Sequence, residues 1–365
     1  MSGCWPGSLL KDNPMSTSLK SFIRHVFAGI YYYSGIYKEV HRGKATILVY
    51  HRVLPGREVD GMYVQPGMYV CQDVFEQQMQ FLKEHFNVVS FTELLDLWKR
   101  KTYDRSQRYC VITFDDGWLD NYMYAYPVLK KYSIPATIFL PTSFIGTQNW
   151  FWPDRIGFLL KYYLTEGLTG GKKESLSSSW GRYTWMREFE KGPSEEKIDW
   201  AIEMWKRLPE DEIYSFIENT GKILGVEWPD KRLVLNWKEV EEMSGNGISF
   251  GSHSANHRIL TRIGVAEARE EIKNSLEMLT GRNINFIPVF CYPNGEYNSE
   301  IQELVKQSGY QAAVSGGFGI ENGFLGNFFG IKRIGVHQDM SKRLSLFSWH
   351  IAGLNQTLSR IKRIS

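Results

Sequence analysis

Two hydrophobic periods take turns along this chain. Short, continuous apolar runs mark strands buried on both faces, and they alternate with stretches whose apolar positions recur every three or four residues, the mark of an amphipathic helix. Ala45 to Tyr50 predicts a strand ending in Tyr50-His51-Arg52-Val53, and Phe75, Gln78, Met79 and Leu82 predict the helix after it. Ser90 and Glu93 form a capping-box pattern that opens a second helix carrying Leu94, Leu97 and Trp98. Cys110 to Phe114 predicts another strand, then a helix from about Trp118 to Tyr132 and a strand Ala136 to Leu140. After a gap the order resumes with strand Ile248 to Ser252, helix Val265 to Leu279, strand Phe286 to Tyr292 and helix Ser299 to Ser308. Strands Gln311 to Ser315 and Ile331 to Val336 complete the set.

Such alternation implies parallel strands joined by helical crossovers, in a barrel or in an open sheet. The polar motifs all fall at the C-terminal ends of their strands. A barrel brings those ends to one mouth, whereas an open sheet offers a single switch point. The expected fold is therefore α/β: a β/α barrel, complete or incomplete, over 45–340. Between about 146 and 237 the alternation stops, which predicts a largely helical insertion. Within it Gly167 to Ser179 reads as a flexible loop by composition, Pro193-Ser194 caps a helix with Ile198, Ala201, Ile202 and Trp205 on one face, and Asp211 to Leu224 forms another helix. Its tryptophans, Trp150, Trp152, Trp180, Trp185, Trp200, Trp205 and Trp228, suit a lid that stacks on sugar rings, although packing onto the barrel is the commoner use.

Composition changes this picture little. The 365 residues are 43% hydrophobic and 15% aromatic, enough for a large core with a subsidiary lobe. A net charge of +3 gives no reason to expect nucleic acid as a partner. Four cysteines at 4, 71, 110 and 291, without short pair spacings, argue against a disulfide framework or a zinc knuckle. Met1 to Pro14 lacks the pattern of a secretory signal, and the N-terminal amphipathic segment 1–44 has no apolar stretch long enough to span a bilayer. A reducing, cytoplasmic compartment is expected. The tail, 341–365, is basic and amphipathic: Lys342, Arg343, Arg360, Lys362 and Arg363 interleave with Leu346, Phe347, Trp349, Ile351 and Leu354. Two readings stand side by side, peripheral contact with an anionic membrane and a terminal helix packed by its apolar side on the body.

The chemistry gathers in four places. Thr113-Phe114-Asp115-Asp116-Gly117 ends a strand in two adjacent carboxylates, which repel unless a cation lies beside them. An Asp-Asp-Gly triplet by itself is more often a turn. Ser252-His253-Ser254-Ala255-Asn256-His257 separates two histidines by three residues, so on a helical turn they share a face and can bind one cation. Alone, that spacing arises by chance in a chain with eight histidines. Together, each after a strand, the motifs favour a metal site. A carboxylate from Asp116 or Asp115 completes a two-histidine, one-carboxylate set, and the other aspartate is free to take a proton from water whose pKa falls toward ~7 on zinc.

These two motifs resemble those of the polysaccharide deacetylases of carbohydrate esterase family four, and the resemblance runs from about Ala45 to Val336 outside the insertion. It implies a distorted β/α barrel that removes an N-acetyl group from an amino sugar in a poly-, oligo- or lipid-linked saccharide, releasing acetate. By the same resemblance Asp115 is the general base, and Asp116, His253 and His257 hold a divalent metal, usually zinc. Phe290-Cys291-Tyr292-Pro293-Asn294-Gly295 resembles the third motif, in which the backbone N–H of Asn294 faces the oxyanion. The arginine that many members carry at the start of that motif is absent here, and Arg333 on the last strand is the candidate to orient the base instead. His337, after the last strand, is the candidate general acid, with His51 at the end of the first strand as the alternative. A rival reading is a catalytically silent carbohydrate-binding barrel, and a third is a metal-dependent hydrolase of another linear amide.

Overall fold

The alternation closes on itself. In the computed structural model, which describes residues 14–61, 63–166, 171–323 and 325–354, seven parallel strands form a barrel. They are β1 (Lys44–Tyr50), β2 (Arg108–Phe114), β3 (Ala136–Leu140), β4 (Ile248–Ser252), β5 (Phe286–Cys291), β6 (Ala312–Phe318) and β7 (Ile331–Gly335). Each pairs with the next in chain order. β7 then returns to β1 through Leu48↔Ile334 and Val49↔Gly335, so the sheet is closed with seven strands instead of the eight of the commonest β/α barrel.

Successive side chains on a strand point to opposite faces, and they sort into separate cores. Ile47, Val111, Phe139, Val289 and Val314 fill the barrel interior together with Phe91, Leu94, Leu95 and Trp98. The last four belong to the helix Phe91–Arg100, whose N-cap Ser90 accepts from the Glu93 N–H at 3.1 Å as its capping pattern predicts. Their neighbours Leu48, Ile112, Ile138 and Phe250 face outward, under the helices Gln72–His85 and Tyr126–Tyr132.

Three expectations gain detail, and the second of them is corrected. The helix expected from about Trp118 to Tyr132 is present from Leu119 on, with a π turn over Asn121–Ala125 ahead of the α-helix Tyr126–Tyr132. Pro127 has no N–H to offer the carbonyl four residues back, and Trp118 is drawn into a bridge with Val234. Second, residues 171–179 are not a loop but part of the helix Gly171–Trp180, while 167–170 lie outside the described residues. Leu176 and Trp180 dock into a core of the insertion's own, where Trp180 Nε1 donates to Thr220 Oγ1 at 3.0 Å, and this burial outweighs the Gly and Ser content. Third, the tail's Leu346, Phe347 and Ile351 are buried against the body, so packing is what these side chains do. Lys342 and Arg343 are exposed, and Arg360, Lys362 and Arg363 lie outside the described residues.

The helix Pro14–Tyr33 lies on the tail helix Leu344–Ile351, with the rings of Tyr31 and Trp349 edge-on at 5.6 Å. Its other face exposes Phe22, Ile23, Val26, Phe27, Ile30 and Tyr33. Among the described residues the exposed apolar stripe thus lies on the N-terminal segment. No helix among the described residues is long and apolar enough to cross a membrane.

Candidate metal and catalytic centre

The strand ends set the centre at one mouth of the barrel. The Asp115 N–H donates to the Tyr50 carbonyl at 3.1 Å, so the ladder between β1 and β2 runs one residue past the strand. Asp116 (φ 70°) and Gly117 (φ 62°) then turn the chain through left-handed conformations. A Cβ at Gly117 would sit 2.9 Å from Leu140 Cδ2, so only glycine fits under this turn. Asp-Asp-Gly does form a turn, and that turn carries two adjacent carboxylates to one place.

Asp115 is buried and held by Arg333. Nη1 lies 2.7 Å from Oδ1 and Nη2 2.7 Å from Oδ2, a bidentate pair across the barrel interior, and Nη1 also reaches Thr113 Oγ1 at 3.2 Å. Burial alone would raise the Asp115 pKa, but the charge and hydrogen bonds of Arg333 carry it below the usual carboxylate value. Phe290 or Cys291 stands where many family members have the arginine of the third motif, and of these Cys291 reaches the Asp115–Arg333 pair. Its Sγ lies 3.4 Å from Asp115 Oδ2 and 3.1 Å from Arg333 Nη2. The guanidinium comes from β7 instead, into the space that the smaller thiol leaves open.

Asp116 meets both histidines. Its Oδ1 is 3.3 Å from His253 Nε2 and 3.2 Å from His257 Nε2. Burial opposes its charge, yet the hydrogen bonds from His253 and His257 hold its pKa well below the ordinary value. The histidines do not share a helical turn as their spacing allowed. They sit on an irregular loop in which Ser254 (φ 61°) and His257 (φ 58°) are left-handed, and this brings the rings within 4.8 Å. The donor set suits a divalent ion: one carboxylate oxygen and two Nε2 atoms lie within 4.8 Å of one another. The remaining atoms are already committed, His253 Nδ1 to the Cys291 carbonyl at 2.9 Å and Asp116 Oδ2 to Trp118 Nε1 at 3.0 Å. Such bonds fix ring tautomer and carboxylate rotation, so the free atoms converge.

The two candidate acids are placed differently. His51 lies among Asp116, Asp115, Arg333 and His253, and burial lowers its pKa against the pull of the two carboxylates. His337 stands further back, with Asp339 and His51 as its charged neighbours and the His350 ring 6.2 Å away, and burial lowers it too. Asn294 is exposed, in a left-handed turn (φ 55°), and its side chain donates to Glu296 Oε1 at 2.6 Å. The next residue, Gly295, lies so close to β6 that a Cβ would come within 2.3 Å of Gly316 Cα.

Sequence reasoning missed several supporting residues. Glu271, on the helix Val265–Thr280, accepts from the Asn256 N–H at 2.7 Å and from Asn256 Nδ2 at 2.8 Å and so props the histidine loop. Arg52 and Asp120 form a buried pair at 2.8 Å, with the Arg52 guanidinium 4.5 Å from the Trp118 ring centroid. Asp154 follows Trp152 and Pro153 into the first insertion helix, and burial pushes its pKa up to about 7, with Arg52 opposing and Asp116 adding. The pattern offered no signal for these. Each lies far along the chain from the group it serves, and none falls within a motif.

The tryptophans of the insertion divide. Trp180 and Trp205 are in its core, whereas Trp150 and Trp228 line a cavity that borders His257. A family model described as polysaccharide deacetylase matches residues 102–313, more than half of the chain. The chain belongs to the polysaccharide deacetylase family. Among relatives in this family, YxkH of Bacillus subtilis (strain 168), which carries the name polysaccharide deacetylase, is 22% identical over 272 residues, 74% of this chain and 64% of that protein. The poly-β-1,6-N-acetyl-D-glucosamine N-deacetylase of Staphylococcus aureus (strain MSSA476) is 40% identical over 81 residues, 22% of this chain and 27% of that enzyme. The chain thus covers less than two thirds of either relative. Two solved structures share the fold. The Streptococcus pyogenes deacetylase PplD, in complex with acetate, gives a TM-score of 0.52 at 21% identity over 82% of this chain and 95% of that one. IcaB from Ammonifex degensii gives 0.50 at 17% identity over 84% and 97%.

Proposed function

We propose that this protein is a metal-dependent hydrolase that removes the N-acetyl group of an amino sugar within a larger saccharide and releases acetate. The observation that carries the reading is the pairing of two separately held carboxylates. Asp116 is shared by His253 and His257, and Asp115, a residue away, is held by Arg333. The relatives support the substrate class, since the staphylococcal enzyme is named for an N-acetylated glucosamine polymer.

Asp116, His253 and His257 would hold the ion, with zinc the best match to one carboxylate and two imidazoles. When bound, the ion supplies a Lewis acid for the amide carbonyl and for the attacking water. Asp115, kept ionised by Arg333, accepts the proton that the water loses. His51, neutral in the resting site because burial lowers its pKa, passes that proton to the departing nitrogen, and His337 stands behind it. The backbone N–H of Asn294 donates to the oxyanion. A silent carbohydrate-binding barrel would have no use for an ionised, oriented carboxylate beside a metal-binding set.

The test is acetate release from N-acetylated oligosaccharides by zinc-loaded protein. Asp115→Asn is expected to lower the rate by ~10²–10⁴-fold while the metal content stays at one ion per chain. A variant that keeps the wild-type rate removes Asp115 from the reaction, and no acetate from any substrate removes the reading. His51→Ala is expected to lose more rate than His337→Ala.

A further inference from the structure

The cavity that borders His257 measures about 620 Å³ and lies between the barrel rim and the insertion. Two arginines line it, and they differ in what they touch. Arg258 is neutralised, its Nε 2.9 Å from Glu210 Oε2 and its Nη1 3.4 Å from Glu267 Oε1. Arg155 forms no ion pair among the described residues. Its guanidinium instead lies over two rings, 4.8 Å from the centroid of Trp228 and 5.8 Å from that of Tyr214. Glu218 is the one carboxylate whose field it feels, from beyond ion-pair distance.

Resting on aromatic faces steadies a guanidinium while leaving its N–H donors free for an anion. The same rings stay open to the cavity, with Trp228 38% and Tyr214 36% exposed, and Trp150 meets Trp228 edge-on at 6.3 Å. An aromatic floor takes the apolar face of a sugar ring, and the free cation above it takes a negative group. The distance from the metal-binding set is short, because His257 belongs both to that set and to the cavity wall.

We propose that this cavity binds the sugar unit next to the one being deacetylated, and that Arg155 recognises an anionic substituent on it, a carboxylate or a phosphate. The proposal rests on the deacetylase reading for its reaction, but the anion site is separable from it. It makes the protein an enzyme of acidic saccharides, with the insertion as the part that selects them.

Zinc-loaded wild type, Arg155→Gln and Arg155→Lys are compared on three probes: chitotetraose, which is neutral, a hyaluronan tetrasaccharide, which carries carboxylates, and diacetylchitobiose 1-phosphate. Acetate release gives kcat/KM, and calorimetry gives binding without reference to turnover. The wild type is expected to favour one acidic probe over the neutral one by about tenfold or more, and Arg155→Gln to remove that preference, with Arg155→Lys between them. The probe that responds identifies carboxylate or phosphate. Acetate from chitotetraose with no Arg155-dependent preference sinks the anion site alone. Arg155-dependent binding of an acidic probe without acetate from any of the three sinks the deacetylase reading alone, and neither binding nor acetate sinks both.

Discussion

Asp115 and Arg333 are the residues on which the centre turns, and each is costly to bury without the other. Removing one partner of a buried pair leaves an uncompensated charge, whereas replacing both by apolar groups is often neutral. Arg333→Leu is therefore expected to lose about 3–5 kcal/mol in urea unfolding, and the double variant Arg333→Leu, Asp115→Leu to regain most of it. A single variant as stable as wild type would show that the pair carries no such charge. Two carboxyls make pH dependences of opposite sign. Asp115 is held below its ordinary 3.8, so its contribution is present above that value and fades as pH falls through the lower folded one. Asp154 is raised from 3.8 to about 7, so its contribution is complete below 3.8 and is lost as pH rises through about 7. In metal-free protein the Tm of wild type should fall between these values more than that of Asp154→Asn, as scanning calorimetry across the range can show. Superimposable profiles would exclude Asp154 as the cause.

At the scale of elements, strands provide position and loops provide approach. β2 and β4 bring Asp115 and His253 to the same rim, but three left-handed residues, Asp116, Ser254 and His257, bend the loops until the Asp116 carboxylate and the two imidazoles meet. Non-glycine residues in that conformation are strained, and surrounding bonds must hold them. Glu271 does so from a neighbouring helix by two hydrogen bonds to Asn256. Loss of such support commonly costs ~10–100-fold in metal affinity. Glu271→Ala is expected to show that loss in competition with a chromophoric chelator, with the barrel still folded by circular dichroism. Unchanged affinity would mean that the loop holds its shape without Glu271.

Across the whole molecule, a bound ion would tie the end of β2 to the end of β4 and so bridge the mouth on either side of β3. A ligand that binds only the folded state at ~100 times its Kd adds about 2.7 kcal/mol, or roughly 3–4 °C in Tm for a chain of this size. Zinc is expected to raise the Tm of wild type by that amount, and His257→Ala to lose most of the rise. An equal rise in both would place the ion elsewhere. The insertion adds a second apolar core beside the barrel's, joined to it along the cavity wall.

Much of this was legible along the chain. The order of strands and helices, the barrel, the helical insertion and the pairing of Asp115 and Asp116 with His253 and His257 followed from local periodicity and from short motifs, because nearby residues dictate both. Other features are matters of distance across the fold. Barrel closure at seven strands depends on the return of β7 to β1. The supply of a guanidinium by Arg333, beside Cys291, depends on side chains from strands far apart in the chain meeting at the barrel axis. The helix at 171–179 and the packed tail depend on cores assembled from remote segments, which overrode local composition. The placing of His51 among Asp115, Asp116 and Arg333, and the stacking of the Arg155 guanidinium on aromatic rings, depend on which groups stand nearby once the chain is folded. Periodicity and motif spacing are local quantities, and they determined the elements and the family resemblance that nominates the reacting groups. Burial and charge pairing are set by residues distant in sequence, so only the tertiary structure decided how those groups are supported and what the cavity beside them can hold.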